Sequence, residues 1–160
     1  TLPRASIRAS IALDHRVDDS TRPSHLHSRG IRMGYRHHTD AWPVVRFEFI
    51  GRLSSEDIAQ YMADSDALVA GGKPFANVMD GSNMLLPEAE FVRRQAAWVR
   101  DHVEDMRRLN RGIAFVVRST LIRGVVRAVM HFQAIPVPHE WFANLEDAMA
   151  WAANQAANKH

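Results

Sequence analysis

The stretch FANVMDGSNMLLPEAE, Phe75 to Glu90, decides how the chain is read. Phe75–Asp80 is a short, mostly apolar run of the kind that forms a buried strand, and it ends in an acid. Gly81, Ser82 and Asn83 are turn formers. Pro87 then opens a helix at the position where a missing N–H costs little. Strand, polar connection and helix in that order are the unit of an α/β sheet. Ser82, just past Asp80, is open to three readings: a phosphorylation switch, a nucleophile or a turn residue. The residue types favour a turn.

Working outward, the pattern repeats. Downstream, Val92, Ala96, Val99, Val103 and Met106 give one long helix a buried face. Gly112 begins IAFVV, a continuous apolar run suited to a strand covered on both sides. Ser119 caps a further helix, with Leu121, Ile122, Val125, Val129 and Met130 expected inward. HEWFA (139–143) is a last short strand, and Asn144 with Asp147 starts a final helix.

Upstream, IRMGYRHH and PVVRFEFIG are β-rich runs joined by TDAW, as in a hairpin. In the second run Val45, Phe47 and Phe49 alternate with Arg46 and Glu48. Ser54 and Asp57 form a variant capping box ahead of a stripe of Ile58, Tyr61, Met62, Ser65 and Leu68. Gly71 and Gly72 stop that helix. Strands separated by helices should run parallel through right-handed crossovers.

The composition is that of an ordinary globular domain: 160 residues, 46% hydrophobic and 24% charged. No apolar run approaches the roughly 20 residues of a membrane span. No cysteine is present, which excludes disulfides, thiol nucleophiles and thiolate metal sites. The basic residues are 18 arginines and two lysines, read as a GC-rich bacterial coding bias. Residues 1–32 hold six arginines against Asp14, Asp18 and Asp19, so the rest is close to neutral. The sequence therefore reads as an irregular basic extension over 1–30 and one domain over 31–157. Met33 as the true start is one reading of the extension; an arm that docks on a neighbour is the other. No secretory signal pattern is present, and the expected compartment is the cytoplasm.

The order strand, strand, helix, strand, helix, strand, helix, strand, helix resembles the SpoIIAA-like, or STAS, fold of anti-sigma factor antagonists, and its STAS/SEC14-like bacterial group. The segments that carry the resemblance are FEFIGRLSSEDI, FANVMDGS, GIAFVVRSTLIRGVVRAV and WFANLEDAMAWAANQ, within roughly Ile31 to Asn154. It implies a mixed sheet of four to five strands, an initial hairpin followed by alternating helix and parallel strand. Four helices would pack mainly on one face. The antagonists carry an Asp-Ser-Ser-Gly-type phosphoacceptor where the helix after the central strand begins. Here that region reads SNMLLPEAE, with no serine beside the helix start.

In an open sheet ligands collect beyond the carboxyl ends of the parallel strands. That edge should hold Asp80, Ser82, Arg118, Ser119, Thr120 and Arg123, as an anion site or as ordinary caps with Arg118 pairing Asp80. Trp98, Met106, Val129 and Trp141 are candidates for an apolar pocket. A triad of Ser82, His139 and Asp80 lacks the Gly-x-Ser-x-Gly elbow, so no catalytic residue is assigned. His25 with His27, and His37 with His38, lack metal-ligand spacing, and no metal or cofactor is implied. Arginines of the long helix interleave with Glu90, Asp101, Glu104 and Asp105, as on a solvated ion-paired face, which does not indicate nucleic-acid binding.

The reading is a non-catalytic STAS-like binding or regulatory module that self-associates, a dimer being favoured, and binds a protein partner. The alternative is a carrier of a small apolar ligand, and the second a hydrolase.

Overall fold

The structure, a computed structural model, describes residues 33–131 and 134–158. The expectations for residues 1–32 lie outside the described residues. The elements are β1 (Gly34–His38), β2 (Val44–Gly51), α1 (Ser55–Ala70), β3 (Phe75–Met84), α2 (Ala89–Asp101), α3 (Val103–Leu109), β4 (Asn110–Val116), α4 (Thr120–His131), β5 (His139–Phe142) and α5 (Leu145–Ala157). The strands lie side by side in chain order, β1-β2-β3-β4-β5. β1 is antiparallel to β2, and every later pair is parallel.

The strand alternation sorts the core into two layers. On one face Val45, Phe47, Phe49, Phe75, Met79, Ile113 and Phe115 meet α1 through Ile58 and Tyr61, and α3 through Met106 and Leu109. Phe91, Trp98 and Val99 of α2 and Met130 of α4 pack on the same layer. Crossovers that all step in one direction with one hand place their helices on one face. Tyr61 stands edge-on to Phe47 at 5.2 Å and to Phe49 at 5.3 Å, an arrangement aromatic quadrupoles favour.

The other face is α5's. Val44, Ala76, Val78, Ala114 and Val116 pack against Ala148 and Ala152, one turn apart on the helix. Small residues on both sides let helix and sheet approach closely. A Cβ on Gly112 would lie 2.9 Å from Trp151 Cη2.

Local signals acted as expected at three helix starts. Ser54 and Asp57 form the reciprocal capping box. Asn144 accepts from Asp147 N, and Ser119 Oγ accepts from Ile122 N at 3.3 Å. Gly72, at φ +63, supplies the left-handed residue behind α1.

Three details depart from the sequence reading. The long helix is two, so the described residues form five helices, because backbone geometry changes at His102 (φ −119, ψ 20). The His102 ring stacks on Trp98 at 4.4 Å, with Nδ1 2.9 Å from Trp98 O. Pro87 lies outside the helix it was expected to open: Glu88 is the N-cap, and α2 begins at Ala89. In α4 the inward stripe is Ile122, Val126 and Met130, whereas Leu121 is 73% exposed and Val125 37%. An apolar residue next to a helical stripe is turned about 100° from it, so composition alone could not separate the two.

Candidate functional site

β3 runs to Met84, past Asp80. Glu48 pairs Asp80 but Ile50 pairs Asn83, so Gly81 and Ser82 together oppose Phe49 in a bulge. A bulge takes amides out of the ladder, and a buried amide needs a partner. Asp80 supplies it: its Oδ1 accepts from Ser82 N at 3.1 Å and from Ser82 Oγ at 2.6 Å. Ser82 is therefore a bulge residue inside the strand, and the expected turn is not there.

Asp80 is buried and faces the α5 side beside Val78. Its Oδ2 lies 3.9 Å from Arg46 Nε, which has no hydrogen-bond partner among the described residues. Arg46 Nη2 reaches Glu48 Oε2 at 3.1 Å, and His38 Nε2 reaches the same oxygen at 3.0 Å. Arg36 Nη1 stands 3.6 Å from that oxygen. Burial raises the Glu48 carboxyl, but the His38 hydrogen bond and the Arg46 and Arg36 charges outweigh it, so it is held below the ordinary carboxylate range. This cluster lies on the part of the sheet near β1. The sequence reading missed it, although alternation of Arg46 and Glu48 with the aromatics of β2 was its signal.

The other edge residues do not converge on Asp80. Arg118, Ser119 and Thr120 are exposed. Among the described residues Asp80 pairs with Arg46, and no ion pair joins it to Arg118. Arg123 Nη2 donates to Val117 O at 2.7 Å and secures α4 to the end of β4. The triad is excluded by position. His139 is level with Ile113 and Asn77, the other end of the sheet from Ser82. Five residues of strand separate the two levels, roughly 16 Å.

The helix face holds two adjoining cavities that share Met79 and Phe115. The first, about 40 Å³, lies under α1 and α2, with Trp98 and Met106 in its wall beside Tyr61, Ser65, Asn77 and Gln95. Burial pushes the Tyr61 phenol well above its ordinary value, partly opposed by the neighbouring polar side chains of Gln95 and Ser65. The second, about 70 Å³, lies between α2 and α4, and no charged side chain among the described residues lines it. Phe49, Met79 and Phe115 floor it; Pro87 and Phe91 wall one side, Ile122 and Val126 the other. Trp141 lines neither: it stacks on Phe115 at 4.7 Å, with Arg127 5.2 Å above its ring. The Val129 side chain lies outside the described residues.

Exposed apolar side chains adjoin the lining residues in sequence. Leu121 and Val125 of α4, 73% and 37% exposed, precede Ile122 and Val126, while Leu85 and Leu86 of the β3–α2 connection, each 53% exposed, lie between Met84 and Pro87. None of the residues of α2, and none of those described for α4, is buried, so these two helices are the least covered elements of the layer.

The sequence matches the SpoIIAA-like family model over residues 44–153. The chain belongs to the SpoIIAA-like family. A crystal structure of an uncharacterized protein of the DUF3478 family from Shewanella loihica PV-4, described as having a SpoIIAA-like fold, superposes with a TM-score of 0.55 at 18% identity. The alignment covers 76% of this chain and 92% of that one, a likeness of fold. No curated protein matches the sequence.

Within the SpoIIAA-like fold, the start of the helix after the central strand is where the resemblance implies a phosphoacceptor. Glu88 occupies that cap here, with no side-chain cap bond, and Ser82 is tied to Asp80 well before it. No group of three or more metal-ligating side chains occurs among the described residues, and no helix among them is long and apolar enough to cross a membrane.

Proposed function

We propose that this SpoIIAA-like chain is a non-catalytic binding module that docks a protein partner in the groove between α2 and α4. The observation that carries the reading is a cavity lined, among the described residues, by no charged group, with exposed apolar Leu121 and Val125 on α4 next to its lining residues Ile122 and Val126. Apolar patches of this kind mark interaction sites, and interface energy concentrates where an anchor side chain fills a desolvated pocket.

Size favours docking over carriage. Pockets that enclose drug-sized ligands are roughly 300–1,000 Å³, whereas a cavity of about 70 Å³ takes the end of one side chain. Ser82 lends no support to a hydrolase, because its hydroxyl is committed to Asp80 and His139 stands at the other end of the sheet.

A random peptide library displayed on phage, panned against the full chain, tests the reading. The comparison is a Leu121→Asp/Val125→Asp variant shown to be folded by circular dichroism. Both positions are exposed, so the fold should survive. Recovered peptides should lose about tenfold or more in affinity for the variant, the scale of one interface hot spot. Failure to enrich any peptide, or equal binding to both proteins, would overturn the proposal.

A further inference from the structure

Arg118 follows Val117, which lines the groove's cavity, and has no ion pair among the described residues, whereas Glu88 and Glu90 at the head of α2 are paired with Arg52 and Arg94. From Met106 to His139 the chain has no acidic residue, and of the arginines there Arg123 is bonded to Val117 O and Arg127 lies over Trp141, leaving Arg118 at the groove. Every other helix carries an acid in its first turn: Glu56 and Asp57, Glu90, Glu104 and Asp105, Glu146 and Asp147. α4 has none, and Arg118 stands just before it. The positive end of the α4 dipole is thus left without a carboxylate from its own first turn. Ser119 Oγ takes the Ile122 amide, while exposed Leu121 follows at once. Charge and apolar surface therefore meet at the head of one helix, beside the mouth of the cavity.

We infer that the partner is an acidic, amphipathic protein segment. It places an apolar side chain in the α2–α4 cavity and an Asp or Glu against Arg118 and the first turn of α4. The inference rests on the docking reading above and adds the partner's chemistry. Both halves are needed: the cavity supplies a desolvated anchor point, and the charge selects which segments reach it. A second copy of this chain is a poor occupant, because pairing two such faces would oppose their arginines. A bilayer is also a poorer fit, since the cavity beside these exposed side chains is recessed between two helices and a flat apolar surface would leave it unfilled.

The same peptide selection supplies the test. Recovered sequences should combine Asp or Glu with Trp, Phe or Leu. For a synthetic peptide of the leading sequence, fluorescence anisotropy with the full chain should show affinity falling as salt rises. Arg118→Glu should weaken it by about tenfold, as reversal of an interface charge does, while thermal stability stays unchanged. Peptides that need Leu121 and Val125 but carry no acid would overturn the charge assignment and leave the docking reading standing. A groove that selects no peptide would overturn both. Co-sedimentation with phosphatidylserine–phosphatidylcholine vesicles that is lost in Leu121→Asp would overturn the peptide in favour of a membrane. A dimer in sedimentation velocity that dissociates in Leu121→Asp would overturn it in favour of a second copy.

Discussion

Two glycine-to-alanine substitutions should move stability in opposite directions, for reasons legible in the packing. Gly124 lies inside α4, and a Cβ built there meets nothing within 4 Å. Alanine removes backbone freedom from the unfolded chain and adds no clash, so Gly124→Ala should stabilise by about 0.5–1 kcal/mol. Gly112 lies in β4 beneath α5. There a Cβ falls 2.9 Å from Trp151 Cη2, 3.0 Å from Gln155 Cγ and 3.1 Å from Trp151 Cζ3. Carbon atoms prefer roughly 3.5–4.0 Å, so the indole must withdraw by about half an ångström or more.

Gln155 is flexible, but the Trp151 ring also packs on Phe142 at 5.9 Å and cannot tilt freely. Overpacking of this sort costs about 1–3 kcal/mol, and Gly112→Ala should fall in the lower half of that range. The assay is urea unfolding followed by circular dichroism, with midpoints compared at constant m-value. In thermal melts, each kcal/mol corresponds to roughly 3–6 °C for a domain of this size. Trp151→Phe should recover part of the Gly112→Ala loss, giving a non-additive double-mutant cycle. A Gly112→Ala protein as stable as wild type, or strictly additive double mutants, would refute the close seating of α5 on β4.

Two further outcomes follow from the charged face. Glu48 is held below its unfolded value, so its contribution is complete above the unfolded carboxylate range and is lost as pH falls through the lowered folded value. Glu48→Gln should therefore flatten the acid limb of a stability-versus-pH curve and leave its shape above neutrality unaltered; an unchanged acid limb would count against the ion-pair cluster. Asp80→Ala removes the acceptor of the Ser82 amide in the bulge and leaves Arg46 with Glu48 as its one acid among the described residues, at a cost of about 1–3 kcal/mol in chemical denaturation. Ser82→Ala removes the hydroxyl bond alone and should cost about 1 kcal/mol; equal losses for the two would refute the carboxylate's role in holding the bulge.

Much of the architecture is local and was legible in the chain. Val45, Phe47 and Phe49 alternate because a strand turns successive side chains to opposite faces. Ser54 with Asp57, and Asn144 with Asp147, start helices by satisfying amides that no earlier turn can reach. Those signals, repeated between apolar runs, determine a hairpin followed by alternating helices and parallel strands. Ala148 and Ala152 were in plain view too, yet their meaning depends on Gly112, Ala76 and Ala114 arriving beneath them.

Tertiary structure alone decided the rest, because it depends on which distant residues share a face. Asp80 was expected to look toward Arg118 beyond the strand end. Strand parity turned it to the α5 side, where register brings it level with Glu48 and beside Arg46. Ser82 belongs to the strand because β2 and β3 fall out of step by one residue, a mismatch visible only when both are paired. Leu121 and Val125 are apolar in sequence whichever way α4 lies. Their exposure follows from the helix phase that gives the sheet Ile122, Val126 and Met130 instead, and phase is set by packing against strands far away in the chain.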